Sequence, residues 1–297
     1  CKIMEQIFLK KNTEQLNESW NPVIGELALN VLSKNGIKDS EKTTTLDEAC
    51  DILKSCGNPV SSLAGDTGLV VGYVQSGKTL SFTTVSAIAV ENGFNCVIVI
   101  AGSTTKLVDQ TSTRLLKDLY CETSTLKFKS YQNPKFEEVN DMVNDLGDNV
   151  FGDKNVLLIT VMKNTSHLRN LKTLFSSKKI KEQDLKILII DDEADQASLN
   201  TKAKKNDPND VSTTYRLLRE LRAELKNHTY LQYTATPQAP LFISLMDILS
   251  PSFVKVITPG GAYTGGKTFF KRNKTSNYPY LEDIGIEEIY TKKNPLN

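Results

Sequence analysis

Short apolar runs recur along the middle of the chain, at residues 69–72, 95–101, 126–131, 155–161, 186–191, 229–234 and 253–258. Each has strand length, and turn signals or helical spacing separate them. Helical spacing falls at residues 79–91, 104–119, 135–146, 165–178 and 212–227. The runs 98–100 and 187–190 are continuously apolar rather than alternating, as strands covered on both faces must be. Strands alternating with helices predict an α/β domain, a mostly parallel sheet with helices on both faces.

Two helical stretches stand out. Residues 80–90 carry no charge and no breaker, which predicts a helix buried on most sides. In 212–227 the residues Val211, Tyr215, Leu218, Leu221 and Leu225 form one stripe. Arg216, Arg219, Arg222 and Lys226 lie off that stripe and read as a solvated face.

Ahead of the sheet the pattern is polar and loosely helical. Ile3, Ile7, Leu16, Val23, Leu27, Val31 and Leu32 recur, with breaks at Asn21-Pro22 and Asn35-Gly36 and a second helix over 45–55. Residues 1–60 therefore read as an N-terminal helical arm, with Trp20 as its anchor on the main body. The main domain spans 61–250. Residues 251–297 form a C-terminal extension, crowded with glycine and proline at 259–266 and basic at 267–274, too short for a second α/β domain.

Composition narrows the picture only a little. With 297 residues, 39% of them hydrophobic, the chain can bury one large core. The net charge of +1 advertises neither nucleic acid nor membrane, so any nucleic-acid contact must be local. No apolar run reaches membrane-spanning length and no signal-peptide core opens the chain. Cys1 stands where an initiator methionine is expected, as in a piece of a longer protein. Five cysteines without a C-x-x-C pair, and two histidines, argue against zinc. Free thiols fit a reducing, cytoplasmic setting.

The candidate chemistry begins after the first apolar run. Gly72, four residues, then Gly77-Lys78-Thr79 fit the phosphate-loop pattern, between a strand and a helix. Gly72 and Gly77 let backbone N–H groups of the loop, including those at Gln75 and Ser76, turn towards a triphosphate. The opening helix turn adds its own N–H groups and dipole. Lys78 supplies a mobile charge for the β- and γ-phosphates and Thr79 a hydroxyl for Mg2+. Residues 261–268 match the same pattern, but a poor helix opening follows, so they read as a glycine-rich turn.

The run 186–190 ends in Asp191-Asp192-Glu193-Ala194-Asp195, carboxylates at the edge where doubly wound sheets bind ligands. Asp192 is placed to hold Mg2+ and Glu193 to position and deprotonate an attacking water. The run 229–234 leads into Thr234-Ala235-Thr236-Pro237-Gln238, hydroxyls and an amide suited to sensing a γ-phosphate.

In this order, Gly-x-x-x-x-Gly-Lys-Thr, Asp-Glu-Ala-Asp and Thr-Ala-Thr-Pro resemble motifs I, II and III of superfamily-two helicases. The wording around them, with the Pro259-to-Gly266 stretch, resembles the Z-one domain family of putative endonucleases linked to restriction and phage defence. The resemblance implies a RecA-like P-loop ATPase domain. It implies ATP and Mg2+ bound by Lys78, Thr79 and Asp192, water activation by Glu193, and coupling through Thr234, Thr236 and Gln238. Ser103, Thr104 and Lys106 sit where such proteins touch a nucleic-acid backbone, with DNA the expected partner. It further implies a second RecA-like lobe supplying arginine fingers, and a nuclease in a partner or another domain. The adenine-reading glutamine motif is not found upstream of the loop.

Two other readings remain open at this point. One is a nucleotide-gated binding switch that does not translocate. The other is a nuclease within the chain, for which Asp210 with Glu224-Leu225-Lys226 is the available pattern, set on the 212–227 helix rather than on paired strands.

Overall fold

The computed structural model describes residues 20–61, 63, 65–73, 77–148, 152–195, 212–237, 240 and 247–260. The elements below belong to one compact unit, Cys1–Pro259. In order they are α1 (Glu26–Lys34), α2 (Asp39–Lys54), β1 (Thr67–Val71), α3 (Lys78–Glu91), β2 (Cys96–Ala101), α4 (Thr105–Leu119) and β3 (Leu126–Gln132). They continue with a 3-10 turn (Phe136–Glu138), α5 (Val139–Gly147), β4 (Lys154–Met162), α6 (Thr165–Phe175), α7 (Lys178–Lys181) and β5 (Ile187–Asp192). The last are α8 (Thr213–Glu224), β6 (His228–Thr234) and β7 (Phe253–Val256).

Among the described residues the strands form one seven-stranded sheet in the order β3-β4-β2-β5-β6-β1-β7, and all neighbouring strands run parallel. The handedness of crossovers accounts for the two layers of helices. From β1 to β2 to β3 the chain steps one way across the sheet, and α3 and α4 lie on one face. From β3 to β4 to β5 to β6 it steps back, and α5, α6 and α8 lie on the other.

Alternate residues of each strand sort into two cores accordingly. Val97, Val99, Leu158, Leu188 and Ile190 join the arm, α3 and α4. Ile98, Ile100, Leu157, Ile159, Ile187 and Ile189 join α5 to α8. This is why the central runs are continuously apolar: every position meets a helix layer.

The helix predicted to be buried on most sides is so. Ser81 to Val90 of α3 are all buried, because α1 and α2 cover its outer side. The hydroxyls in that run turn back on the helix: Thr83, Thr84 and Ser86 donate to the carbonyls of Thr79, Leu80 and Phe82 at 2.7, 2.9 and 2.7 Å.

Trp20 Nε1 donates to the Cys56 carbonyl at 3.0 Å, a bond within residues 1–60, and its ring packs against the core shared by α1, α2 and α3. Glu91, at the far end of α3, also accepts from the N–H groups of Gly25 and Leu27 at 3.0 and 2.7 Å. It caps α1, which has no side-chain cap of its own.

Several boundaries move. Helix α2 starts at Asp39, ahead of the expected 45. The 135–146 stretch opens as a 3-10 turn, and the 165–178 helix breaks before α7. Cys96 is buried in the core as expected.

One expectation is overturned. Arg222 does not lie on a solvated face; it is 1% exposed. Its guanidinium donates to Thr67 Oγ1 at 2.7 Å, the Ile248 carbonyl at 2.5 Å, His228 Nε2 at 3.2 Å and the Gly65 carbonyl, and it stacks 4.7 Å from the Tyr230 ring centroid. Backbone acceptors from chain segments distant in sequence satisfy the fork, which no helical periodicity can foretell.

Candidate nucleotide and nucleic-acid site

The register of the sheet assembles the predicted residues along one edge. Met162 of β4 pairs with Ala101 of β2, Ile100 of β2 with Asp191 of β5, Asp192 with Tyr233 of β6, and Thr234 with Val71 of β1. These pairs lie at the carboxyl ends of parallel strands. The loop after β1, the acidic turn after β5, the hydroxyl turn after β6 and the loop before α4 therefore share one rim. The connection from β2 leaves towards one face and that from neighbouring β5 towards the other, which opens a crevice between them.

The loop after β1 begins with Gly72, whose N–H donates to the Thr234 carbonyl at 3.0 Å. Val74, Gln75 and Ser76 lie outside the described residues. Gly77 then takes φ 98°, a left-handed turn suited to glycine, and α3 begins directly behind it. No side chain caps α3. Its first N–H groups lack an acceptor within the helix, which leaves donors and the positive dipole end for an anion. Lys78 Nζ lies 3.4 Å from the Tyr73 carbonyl, across the loop.

The acidic turn is bound from three sides. Asp191 is fully buried and takes a 2.5 Å hydrogen bond from the Tyr230 hydroxyl and a 2.5 Å ion pair from Lys163. Glu193 has φ 54°, a left-handed conformation that costs a residue with a side chain roughly 1–2 kcal/mol. Its N–H donates to Asp192 Oδ1 at 3.1 Å, and the Ala194 N–H donates to the Tyr233 carbonyl at 3.0 Å.

Burial, followed by the neighbouring Glu193 charge, pushes the Asp192 carboxyl up to about 6, while Lys163 and Lys78 pull the other way. The carboxylate pair is only partly neutralised by these lysines, and such a place suits a cation. Among the described residues no cluster of three His, Cys, Asp or Glu side chains forms a metal cage. One carboxylate with the Thr79 hydroxyl matches instead the sparse protein ligation of Mg2+, whose remaining positions go to water and phosphate oxygens.

The hydroxyl turn is joined to the acidic one. Thr234 and Thr236 donate to the two oxygens of Asp195, each at 2.6 Å. Burial would raise the Asp195 carboxyl, but these two hydrogen bonds, a backbone hydrogen bond and the Lys163 charge together hold the group below its usual range. Gln238 lies outside the described residues.

Across the crevice, Ser103, Thr104 and Lys106 are exposed at the start of α4, and Thr104 caps that helix by accepting from the Leu107 N–H at 3.4 Å. A Cβ on Gly102 would lie 2.7 Å from Leu107 Cδ1 and 3.6 Å from Glu193 Oε2. The loop bearing the proposed nucleic-acid contacts therefore lies against the Glu193 carboxylate.

Sequence reasoning missed Lys163, Tyr230 and the role of Asp195. A lysine directly after an apolar strand reads as a solvated turn, and only the register reveals that Lys163 reaches over β2 to β5. The nuclease pattern receives no geometric support. Glu224 pairs with Lys181 at 2.5 Å near the start of β6, the opposite edge of the sheet, and Asp210 lies outside the described residues. So does the second glycine pattern at 261–268.

Compared by sequence, the chain matches no protein-family model and no curated protein. Among solved structures it is similar to the DUF1998 helicase MrfA bound to DNA and AMPPNP, at 16% identity and a TM-score of 0.47, covering 86% of this chain and 34% of that one. It is also similar to the ATP-dependent Type ISP restriction-modification enzyme LlaBIII bound to DNA, at 13% identity and a TM-score of 0.47, covering 75% and 15%. A third is the DEAD-box helicase Mss116 bound to ssRNA and UDP-BeF, at 14% identity and a TM-score of 0.45, covering 80% and 46%. The chain spans less than half the length of each of these proteins. Among the described residues no helix is long and apolar enough to cross a membrane.

Proposed function

We propose that this chain is a RecA-like, helicase-type ATPase lobe that couples ATP hydrolysis to nucleic-acid binding or translocation, within a Z-one-type restriction or phage-defence protein. The observation that carries this reading is the shared rim. The Gly77–Lys78 turn and the Asp192–Glu193 pair stand at the same end of one sheet, and Asp195, Thr234 and Thr236 join the acidic turn to the strand between them.

In this reading Gly72, Gln75, Ser76 and Gly77 present backbone N–H groups to the phosphates, and Lys78 carries charge to the β- and γ-phosphates. Thr79 and Asp192 would hold Mg2+, which when bound supplies positive charge to the phosphate oxygens. Glu193 orients the attacking water and takes its proton. Thr234, Thr236 and Gln238 relay the state of the site to the neighbouring lobe. Ser103, Thr104 and Lys106 contact a nucleic-acid backbone, with DNA the expected partner. A second RecA-like lobe completes the motor by placing transition-state charge opposite Lys78. A nuclease, where one acts, belongs to a partner or another domain.

The test is a steady-state ATPase assay with and without DNA or RNA, on the wild type and Glu193→Gln. Stimulation by nucleic acid, with turnover lowered by about 100-fold or more in the variant while ATP binding persists, is the expected result. Hydrolysis indifferent to nucleic acid would favour a nucleotide-gated switch without translocation.

A further inference from the structure

An ammonium group carries three N–H donors and no acceptor. Lys163, 3% exposed, gives two of them to carbonyls and sets its charge against a carboxylate. Its Nζ donates to the Asp192 carbonyl at 2.6 Å and the Glu193 carbonyl at 2.8 Å, and it pairs with Asp191 Oδ1 at 2.5 Å. The first two bonds are to the main chain of the two residues given the metal-holding and water-activating roles. They grip the peptide planes on either side of the Glu193 Cα, the residue whose left-handed φ must be held in place by its surroundings.

Lys163 is itself fastened on the other side of the crevice. It follows β4, and its own N–H is shared between the carbonyls of Ala101 and Gly102 at 3.2 and 3.3 Å. The side chain thus runs from the end of β2, where the Ser103–Lys106 loop begins, to the acidic turn at the end of β5. A charge buried this deeply is costly to maintain for packing alone, and an apolar side chain of similar volume would fill the space. What an apolar side chain cannot do is hold two adjacent carbonyls.

We propose that Lys163 is a positioning residue for ATP hydrolysis: by binding the carbonyls of Asp192 and Glu193 it sets the conformation in which both carboxylates serve the phosphate-binding rim. This inference rests on the proposed ATPase reading. Lys163 acts through the main chain of the acidic turn, whose two carbonyls it holds. Asp191, buried beneath the turn, serves as its counter-charge.

The test separates positioning from charge pairing. Lys163→Met alone leaves Asp191 buried without its cation and is at risk of misfolding. Lys163→Met combined with Asp191→Asn removes both charges and still allows Tyr230 to hydrogen bond with residue 191. Asp191→Asn alone keeps both carbonyl acceptors but leaves the buried ammonium without its counter-charge. Thermal melts confirm folding, ATP binding is measured without Mg2+, and hydrolysis is measured in a single turnover. The expected result is that the double variant folds and binds ATP as the wild type does, yet hydrolyses it about 100-fold more slowly, because misplacement of order an ångström costs that much. Asp191→Asn alone, where the melt shows it folded, should hydrolyse ATP clearly faster than the double variant, because both carbonyl bonds remain. A double variant with the wild-type rate would overturn the proposal and leave a structural ion pair. A wild type that does not hydrolyse ATP even joined to its second lobe would overturn the ATPase reading and this inference with it.

Discussion

The Thr234 hydroxyl donates to Asp195 at 2.6 Å, so the end of the β6 strand is tied to the end of the acidic turn that follows β5. Thr236 takes the second oxygen of the same carboxylate. Strand β6 lies between β1 and β5, so a movement of the phosphate loop can reach the acidic turn through this bond. Thr234→Val keeps the shape and deletes the donor. A hydrogen bond to a charged group contributes roughly 1.5–3 kcal/mol. Turnover should therefore fall by about 10- to 100-fold if the bond acts in the transition state, with ATP affinity unchanged. Parallel calorimetry and steady-state kinetics check both halves.

Arg222 ties α8 to Thr67, Gly65 and Ile248, at the amino ends of β1 and β6 and ahead of β7. Arg222→Met fills the space but strands several buried acceptors, each costing about 1–3 kcal/mol. A loss of about 3 kcal/mol or more is expected, read as a fall in urea midpoint at unchanged slope. Arg216→Met, on the exposed side of the same helix, should alter stability by about 0.5 kcal/mol or less.

His228 gives a pH signature. Burial, then the Arg222 charge beside it, hold its pKa down to about 3 against an ordinary 6.5. Between those values the unfolded chain binds a proton that the folded one refuses. Stability should thus fall as pH drops from 6.5 towards 3, by up to about 1.4 kcal/mol per pH unit from this residue. His228→Gln, which retains an acceptor for Arg222, should flatten that part of the profile. Urea titrations of the two proteins at a series of pH values give the difference directly.

One carboxylate orders the start of the arm's first described helix. Glu91 accepts from Gly25 and Leu27 and stands in for the missing cap of α1. Glu91→Ala should cost about 1 kcal/mol, in the range of lost helix caps. It should also speed amide exchange at Gly25 and Leu27 while leaving that of the central strands unchanged. Hydrogen exchange resolved by residue checks it.

Much of this was legible in the chain. The strand runs, the glycine loop and the acidic end of β5 are local patterns, and apolar continuity over 187–190 correctly implied a strand covered on both faces. The bare apolar stretch of α3 implied a helix without a solvent side, though not that the arm provides its outer cover. Arg222 and Lys163 were illegible for one shared reason. Each is a cation whose partners are carbonyls and side chains far away in sequence, so its neighbours along the chain describe an exposed residue. The early start of α2 was hidden because residues 39–45 are all polar, and its buried stripe begins only at Leu46.

The central claim is that the rim joining Lys78 to Asp192 is a triphosphate site. Isothermal titration of ATP with Mg2+ into the wild type and into Lys78→Ala tests it most directly. Saturable binding by the wild type, weakened by about tenfold or more in the variant, is the predicted result. No binding by the wild type, or equal affinity in the two proteins, would contradict it.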